Sequence, residues 1–191
     1  FDDWHSVKSK TEGYFKGAHS DKLCALCQQH GIKIYISVKQ GFFTVKGYPF
    51  LKCDKDLSDK PELVEQLLDC FIFYIEEYIS DHYRYGMTQI SEIAVKAMSP
   101  GINDPGTAVK AIDMLSILLI LRLDIYDVNY SLKRCENNQP HLFIHETSFD
   151  ELLHDNFTPI RNYAKNDAYV MVNVLEAFKN ILFRASDNNK A

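Results

Sequence analysis

Hydrophobic and polar positions change period once along this chain, near residue 60. Before that point the pattern is that of strands. "IKIYISV" (32–38) alternates Ile32, Ile34, Ile36 and Val38 with Lys33, Tyr35 and Ser37, the two-residue period of a half-buried strand. "GYFKGAH" (13–19) and pieces of "GFFTVKGYPFLKC" (41–53) predict shorter strands. Between them, "SDKLCALCQQHG" has a Ser/Asp start, an apolar stripe and a closing Gly31, which predicts a short helix.

Beyond residue 60 the period is helical. Ser58 and Asp59 precede Pro61, a good first-turn residue, and Val64, Leu67, Leu68, Phe71, Ile75 and Ile79 make one face. A second helix is expected at about 87–98, with Ile90, Ile93, Ala94 and Ala97. A third, at about 105–122, is apolar nearly all round, including Ile112, Met114, Leu115 and the run Ile117 to Leu121. A helix without a polar face belongs in the middle of a bundle. "RCENNQP" (134–140) reads as a loop, and "HLFIHET" (141–147) as a strand returning to the N-terminal sheet. Ser148 and Glu151 form an S-x-x-E capping box for a helix that Pro159 is expected to kink or break. Asp167 then caps a last helix with Met171, Val174, Leu175, Phe178, Ile181 and Leu182 on one side. The expected fold is α+β: a small β-rich unit with one short helix (1–57), a helical domain around the central apolar helix (58–185) and a frayed tail (186–191).

Composition narrows the function classes. The chain has 191 residues, 46% of them hydrophobic, enough for one substantial core. Net charge is −5, and Lys and Arg form no long stripe, so nucleic acid is not an expected partner. The run Ile117 to Leu121 stops at Arg122, far short of the roughly 20 apolar residues of a membrane span. The chain begins at Phe1 rather than Met, so a piece of a longer protein is expected. Five cysteines (24, 27, 53, 70 and 135) in irregular spacing do not form a disulfide framework and point to a reducing compartment.

The chemical motifs are sparse. Cys24 and Cys27 form a C-x-x-C without a second pair at zinc-ligand spacing, so both are read as small buried hydrophobes. His141 and His145 share a strand face without a third ligand and are read as hydrogen-bonded histidines. No G-x-S-x-G and no glycine-rich phosphate loop occurs, so no catalytic residue, metal or cofactor is assigned. Gly41, Thr44, Gly47 and Phe50 recur every three residues. This spacing resembles the G-x-x-V-x-x-G-x-x-L turn of lipoyl-like and barrel-sandwich domains, with Thr44 and Phe50 where Val and Leu are usual. No lysine hairpin accompanies it, so attached lipoate or biotin is not implied.

The most emphatic local feature is "SPGINDPGTAVKAID" (99–113). Pro100 ends one helix and Gly101 permits a left-handed exit. Asp104 then stands at an N-cap, Pro105 at the first helical position, and the free N–H groups of Gly106 and Thr107 follow. A capped turn explains those residues but not Asn103, nor Asp113 among its apolar sequence neighbours. A buried carboxylate needs a partner. Arg161, on a helix whose Leu153, Phe157 and Ile160 must pack on something apolar, is the expected partner, with Lys110 as a local alternative. The candidate binding residues are therefore Ser99, Asn103, Asp104, Thr107, Asp113 and Arg161.

At this segment the chain resembles a known family. "YGMTQISEIAVKAMSPGINDPGTAVKAIDML" (85–115) is similar to the signature of bacterial predicted membrane proteins, domain-of-unknown-function family 2254. Gly86, Ile93, Ala94, Ala97, Ser99, Pro100, Asn103, Asp104, Pro105, Thr107, Ala108 and Asp113 fall on its pattern. The resemblance extends through 11–51 and through the closing segment, where Phe157, Ile160, Arg161 and Tyr163 match. Phe42 stands where an Asp is usual, and Glu77-Tyr78 where the family has Arg-Thr. The resemblance implies several transmembrane helices before this region, so the chain is expected to be the C-terminal soluble part of an integral membrane protein, on the cytoplasmic side. Its expected partners are those transmembrane segments, a second copy of itself and an unidentified small ligand. The exposed aromatics Tyr74, Tyr78 and Tyr83 are candidates for contact area. The expected role is non-enzymatic, in oligomerisation, sensing or regulation of the membrane part. The alternatives are an enzyme using Asp104 and Asp113 with Arg161, and a gating domain of a transport or channel assembly.

Overall fold

The computed structural model describes residues 1–135 and 140–188. They form two compact units, the first made of 1–82 and 128–147, the second of 83–127 and 148 onward. The fold is mixed α+β.

In the first unit, β1 (His5–Lys8), β3 (Ile34–Ile36), β5 (Pro49–Cys53), β7 (Tyr130–Arg134) and β8 (Pro140–His145) make one sheet in the order β1-β5-β3-β8-β7. A smaller sheet has the order β4-β2-β6, from β2 (Gly13–Ala18), β4 (Phe43–Thr44) and β6 (Phe71–Tyr74). The alternation in 32–38 is honoured: Ile32, Ile34, Ile36 and Val38 are all buried. The 141–147 segment does return to the N-terminal sheet, where β8 lies parallel to β3 with Ile34 opposite Leu142. α1 (Ser20–His30) ends on Gly31, whose N–H bonds back to the carbonyls of Cys27 and Gln28. The three-residue spacing also has a structural meaning. Gly41 and Gly47 take left-handed backbone (φ +81° and +89°), while Thr44 and Phe50 point into the core.

Three expectations for this unit are overturned. The helix begun at Pro61 is short, α2 (Pro61–Leu68), and the chain then becomes β6 rather than continuing to Ile79. "FIFY" is aromatic and β-branched, and β2 offers it an edge with Phe15 opposite Phe73. Ile75 and Ile79 are consequently exposed instead of sharing a buried face. α2 and β6 therefore belong with the strands, so the division falls after residue 82 and not at 57/58. Finally, the cysteines are not all free. Cys24 and Cys135 are disulfide-bonded, with Cα atoms 5.6 Å apart, while Cys27, Cys53 and Cys70 are buried thiols. The spacing gave no hint of a bridge spanning 111 residues, because only the folded sheet brings the end of β7 beside α1, where Lys133 also bonds Ser20 and Asp21. The loop expected at 134–140 overlaps the ends of β7 and β8, and its residues 136–139 lie outside the described residues.

The second unit is helical: α3 (Tyr83–Ala97), α4 (Pro105–Arg122), α5 (Phe149–Ala164) and α6 (Ala168–Asn188). The capping box at Ser148 and Glu151 is present, and the Asp167 carboxylate accepts the Val170 N–H at 3.0 Å, as a cap should. α5 runs through Pro159 without the expected break. Its Leu152, Phe157, Ile160 and Ala164 are buried, so packing on both sides of the proline holds the helix together. α4 packs against α3, α5 and α6. It is nevertheless not enclosed, since Met114, Ile117 and Leu121 are 49%, 49% and 59% exposed. The tail expected to fray begins at 186, but α6 continues to Asn188, and 189–191 lie outside the described residues.

Candidate functional site

The corner between α3 and α4 is a stop and a restart built from its own polar groups. Ser99 donates its hydroxyl to the Lys96 carbonyl at 2.7 Å, and the Ile102 and Asn103 N–H groups donate to the Ser99 carbonyl. The Asp104 N–H returns to the Ala97 carbonyl at 2.8 Å, tying the start of α4 to the end of α3. The left-handed residue is Asn103 (φ +47°), not Gly101. Asparagine tolerates that conformation better than other side chains, which accounts for its presence.

Asp104 is the N-cap of α4. Its carboxylate accepts the Thr107 N–H at 3.1 Å and the Thr107 hydroxyl at 2.5 Å. The hydroxyl bond above all, then the backbone N–H groups of Thr107 and Gly106 and the nearby Lys110 charge, hold its pKa below the ordinary aspartate value. Ser99, Asn103, Asp104 and Thr107 are thus together; the side chains of Ser99, Asp104 and Thr107 and the Asn103 N–H are engaged with one another or with nearby backbone.

Asp113 and Arg161 do not join them. Asp113 lies on the outer face of α4 in line with Lys110 and Ile117, so it needs no buried partner. Apolar sequence neighbours placed it wrongly: on a helix they occupy the other side. Arg161 is exposed on α5 and makes no ion pair or hydrogen bond with Asp104, Asp113 or the 99–103 carbonyls. An active site using Asp104, Asp113 and Arg161 is therefore not assembled.

Two features escaped sequence reasoning. The first is a polar knot in the first unit. The Lys16 ammonium pairs with Asp81 at 2.6 Å and sits 4.5 Å from the centre of the Tyr74 ring. His82 pairs with Glu77 at 3.2 Å, with both side chains largely buried. A Cβ on Gly41 would come within 2.6 Å of the His82 ring. The cavity there is about 10 Å³, at most one water, so the knot packs rather than binds. The acidic run 76–81 was the only signal in the sequence, and its partner Lys16 is a distant strand residue. The second feature is a groove of about 310 Å³ between α5 and α6, with Arg161 on its rim.

His141 and His145 each meet a backbone carbonyl, of Ile32 at 2.9 Å and of Ser37 at 3.2 Å. Among the described residues no group of three His, Cys, Asp or Glu side chains is placed to hold a metal ion. Nor, among them, is any helix long and apolar enough to cross a membrane. No curated protein and no solved structure matches the chain. Residues 1–180 do match a family model described as "Predicted membrane protein (DUF2254)", and the chain belongs to that family.

Proposed function

We propose that the chain is an assembly domain of an integral membrane protein, self-associating through α6 and α4 and thereby controlling the membrane part of the same protein. The observation that carries this reading is the pattern on α6. Val170, Val174, Ala177 and Ile181 form its buried stripe. On the opposite side Ala168, Val172, Leu175, Lys179 and Leu182 recur at alternating spacings of four and three, and all are exposed. That is the spacing of a coiled-coil seam. α4 repeats it, with Lys110, Met114, Ile117 and Leu121 outside. A helix that is apolar on both faces is normally covered on both.

A second copy is the partner that fits, because like seams pair with like around a two-fold axis. The family's description as predicted membrane proteins supports further contact with the chain's own membrane-spanning segments. A cytoplasmic position follows from an even number of spans with the N-terminus inside, and the agreement of unpaired cysteines with it is lost. The Cys24–Cys135 bond favours the oxidising side of the membrane.

Light scattering and sedimentation across a concentration series test the assembly. The wild-type chain is expected to form a dimer or higher oligomer, and Leu182→Glu, an exposed substitution, to dissociate it without loss of helicity. A monomer of 22.1 kDa at every concentration would overturn the reading.

A further inference from the structure

Among the arginines whose side chains the structure describes, Arg84 pairs with Asp155, Arg122 with Asp127 and Arg184 with Asp124. Arg161 has no carboxylate, no carbonyl and no ring as a partner among the described residues. It stands at one end of the groove between α5 and α6. Leu153 and Phe157 form one wall of that groove, and Met171, Leu175 and Phe178 the other. The Phe157 and Phe178 rings, with centroids 4.8 Å apart, are in contact across it. Asp150 marks the other end, three turns back along α5, roughly 16 Å from Arg161.

We propose that this groove binds a medium-chain carboxylate, with the alkyl tail along the phenylalanines and the carboxylate on the Arg161 guanidinium. Three features of the groove select this ligand. The planar guanidinium offers two parallel N–H donors, the geometry of a carboxylate. Arg161 is the one permanent cation among the residues that line the groove and matches one negative charge, and Asp150 repels an anionic head from the other end, which fixes the direction of binding. The volume of about 310 Å³ lies at the small end of small-molecule sites, which suits a single alkyl tail of medium length. A two-chain lipid exceeds that volume.

The probe is sodium decanoate, titrated calorimetrically into the wild-type chain below its micellar concentration. Decanol, decyltrimethylammonium and anionic phospholipid vesicles serve as the comparison ligands. Decanoate is expected to bind at one per chain, and Arg161→Gln to weaken it about tenfold or more. Arg161→Lys, which keeps the charge, is expected to lose less. Decyltrimethylammonium is expected not to bind. Leu175 also belongs to the α6 seam, so decanoate is titrated into the Leu182→Glu chain as well, which is expected to bind it at least as tightly as the wild type. The proposal is overturned by absence of decanoate binding, by equal binding to Arg161→Gln, by equal binding of the cationic amphiphile, or by binding to vesicles alone.

Discussion

Arg122 and Asp127 bind each other at 2.9 Å where α4 ends, and the same Asp127 oxygen accepts the Phe149 N–H at the start of α5. One carboxylate therefore serves a nearly buried arginine and a helix N-terminus at once. Arg122 also donates to the Ile125 carbonyl at 2.9 Å, which shapes the turn leaving α4. Removing the acid takes one counter-charge from a largely buried guanidinium. Because Asp127 itself is about half exposed, the full penalty of a buried pair does not apply. Asp127→Ala is expected to lower unfolding stability by about 2 kcal/mol in urea titration, and Asp127→Asn by less. A change below about 0.5 kcal/mol in the alanine variant would show that solvent replaces the carboxylate.

Asp104 makes stability depend on acid in a defined direction. Its folded pKa lies below the ordinary value of 3.8, so the carboxylate stabilises the folded chain above that value. The contribution disappears as pH falls through the lowered folded pKa. Asp104→Ala is expected to melt about 2–4 °C below wild type at neutral pH. The gap should narrow as the pH is lowered through that folded pKa, where the wild type loses the charge that the variant already lacks. A constant gap through that pKa would mean that the hydroxyl and backbone bonds to Asp104 do not depend on its ionisation.

The Cys24–Cys135 bridge closes a loop of 111 residues in sequence, for which chain entropy gives up to about 4–5 kcal/mol of stabilisation. Reduction is expected to lower the melting temperature of the folded chain. Alkylation in denaturant without reductant should modify three thiols, and after reduction all five cysteines. Burial pushes the Cys27 thiol up to about 12, so in the native chain it is expected to resist alkylation and disulfide exchange at neutral pH. Five modified thiols without reductant would rule the bridge out.

Gly41 is predicted to be intolerant of a side chain. Its φ of +81° disfavours any L residue, and a Cβ would collide with the His82 ring. Gly41→Ala is expected to cost about 1–3 kcal/mol, read from chemical unfolding. Gly101→Ala supplies the contrast. Nothing lies within 4 Å of a Cβ at that position, and the effect there should be small.

Arg161→Ala is expected to change stability by less than about 0.5 kcal/mol, since an exposed and unpaired side chain is removed. A loss of several kcal/mol would point instead to a buried ion pair of Arg161, which is absent among the described residues.

Legibility followed the range of the physical cause. The start of α4 at Pro105, the capping box at Ser148 and Glu151, the Asp167 cap and the C-terminal glycine of α1 were all readable, because each is an interaction within four residues. The strand at 32–38 was readable because a two-residue period survives whatever it pairs with. "FIFY" was misread, since its periodicity fits a helix face as well as a strand and only the free edge of β2 decides between them. The outer stripe of α6 was also misread. Leu175 and Leu182 were assigned to the buried side with Val174 and Ile181, and sequence alone does not say which of two apolar stripes meets the core.

The sequence by itself determined where α1, α2, α4, α5 and α6 begin, though not α3, which starts at Tyr83 rather than about 87. It also determined which residues cap α4, α5 and α6, and the family to which the chain belongs. These rest on short-range hydrogen bonds and on a long local motif. Tertiary structure alone decided that Cys24 meets Cys135, that Lys16 meets Asp81, and that Asp113 and Arg161 stay apart. Each of those outcomes depends on how distant elements are stacked and rotated about their axes. Rotation is set by the summed burial of a whole helix face, in which one charged side chain contributes little. Asp113 and Arg161 therefore went where Ile112 and Ile160 sent them.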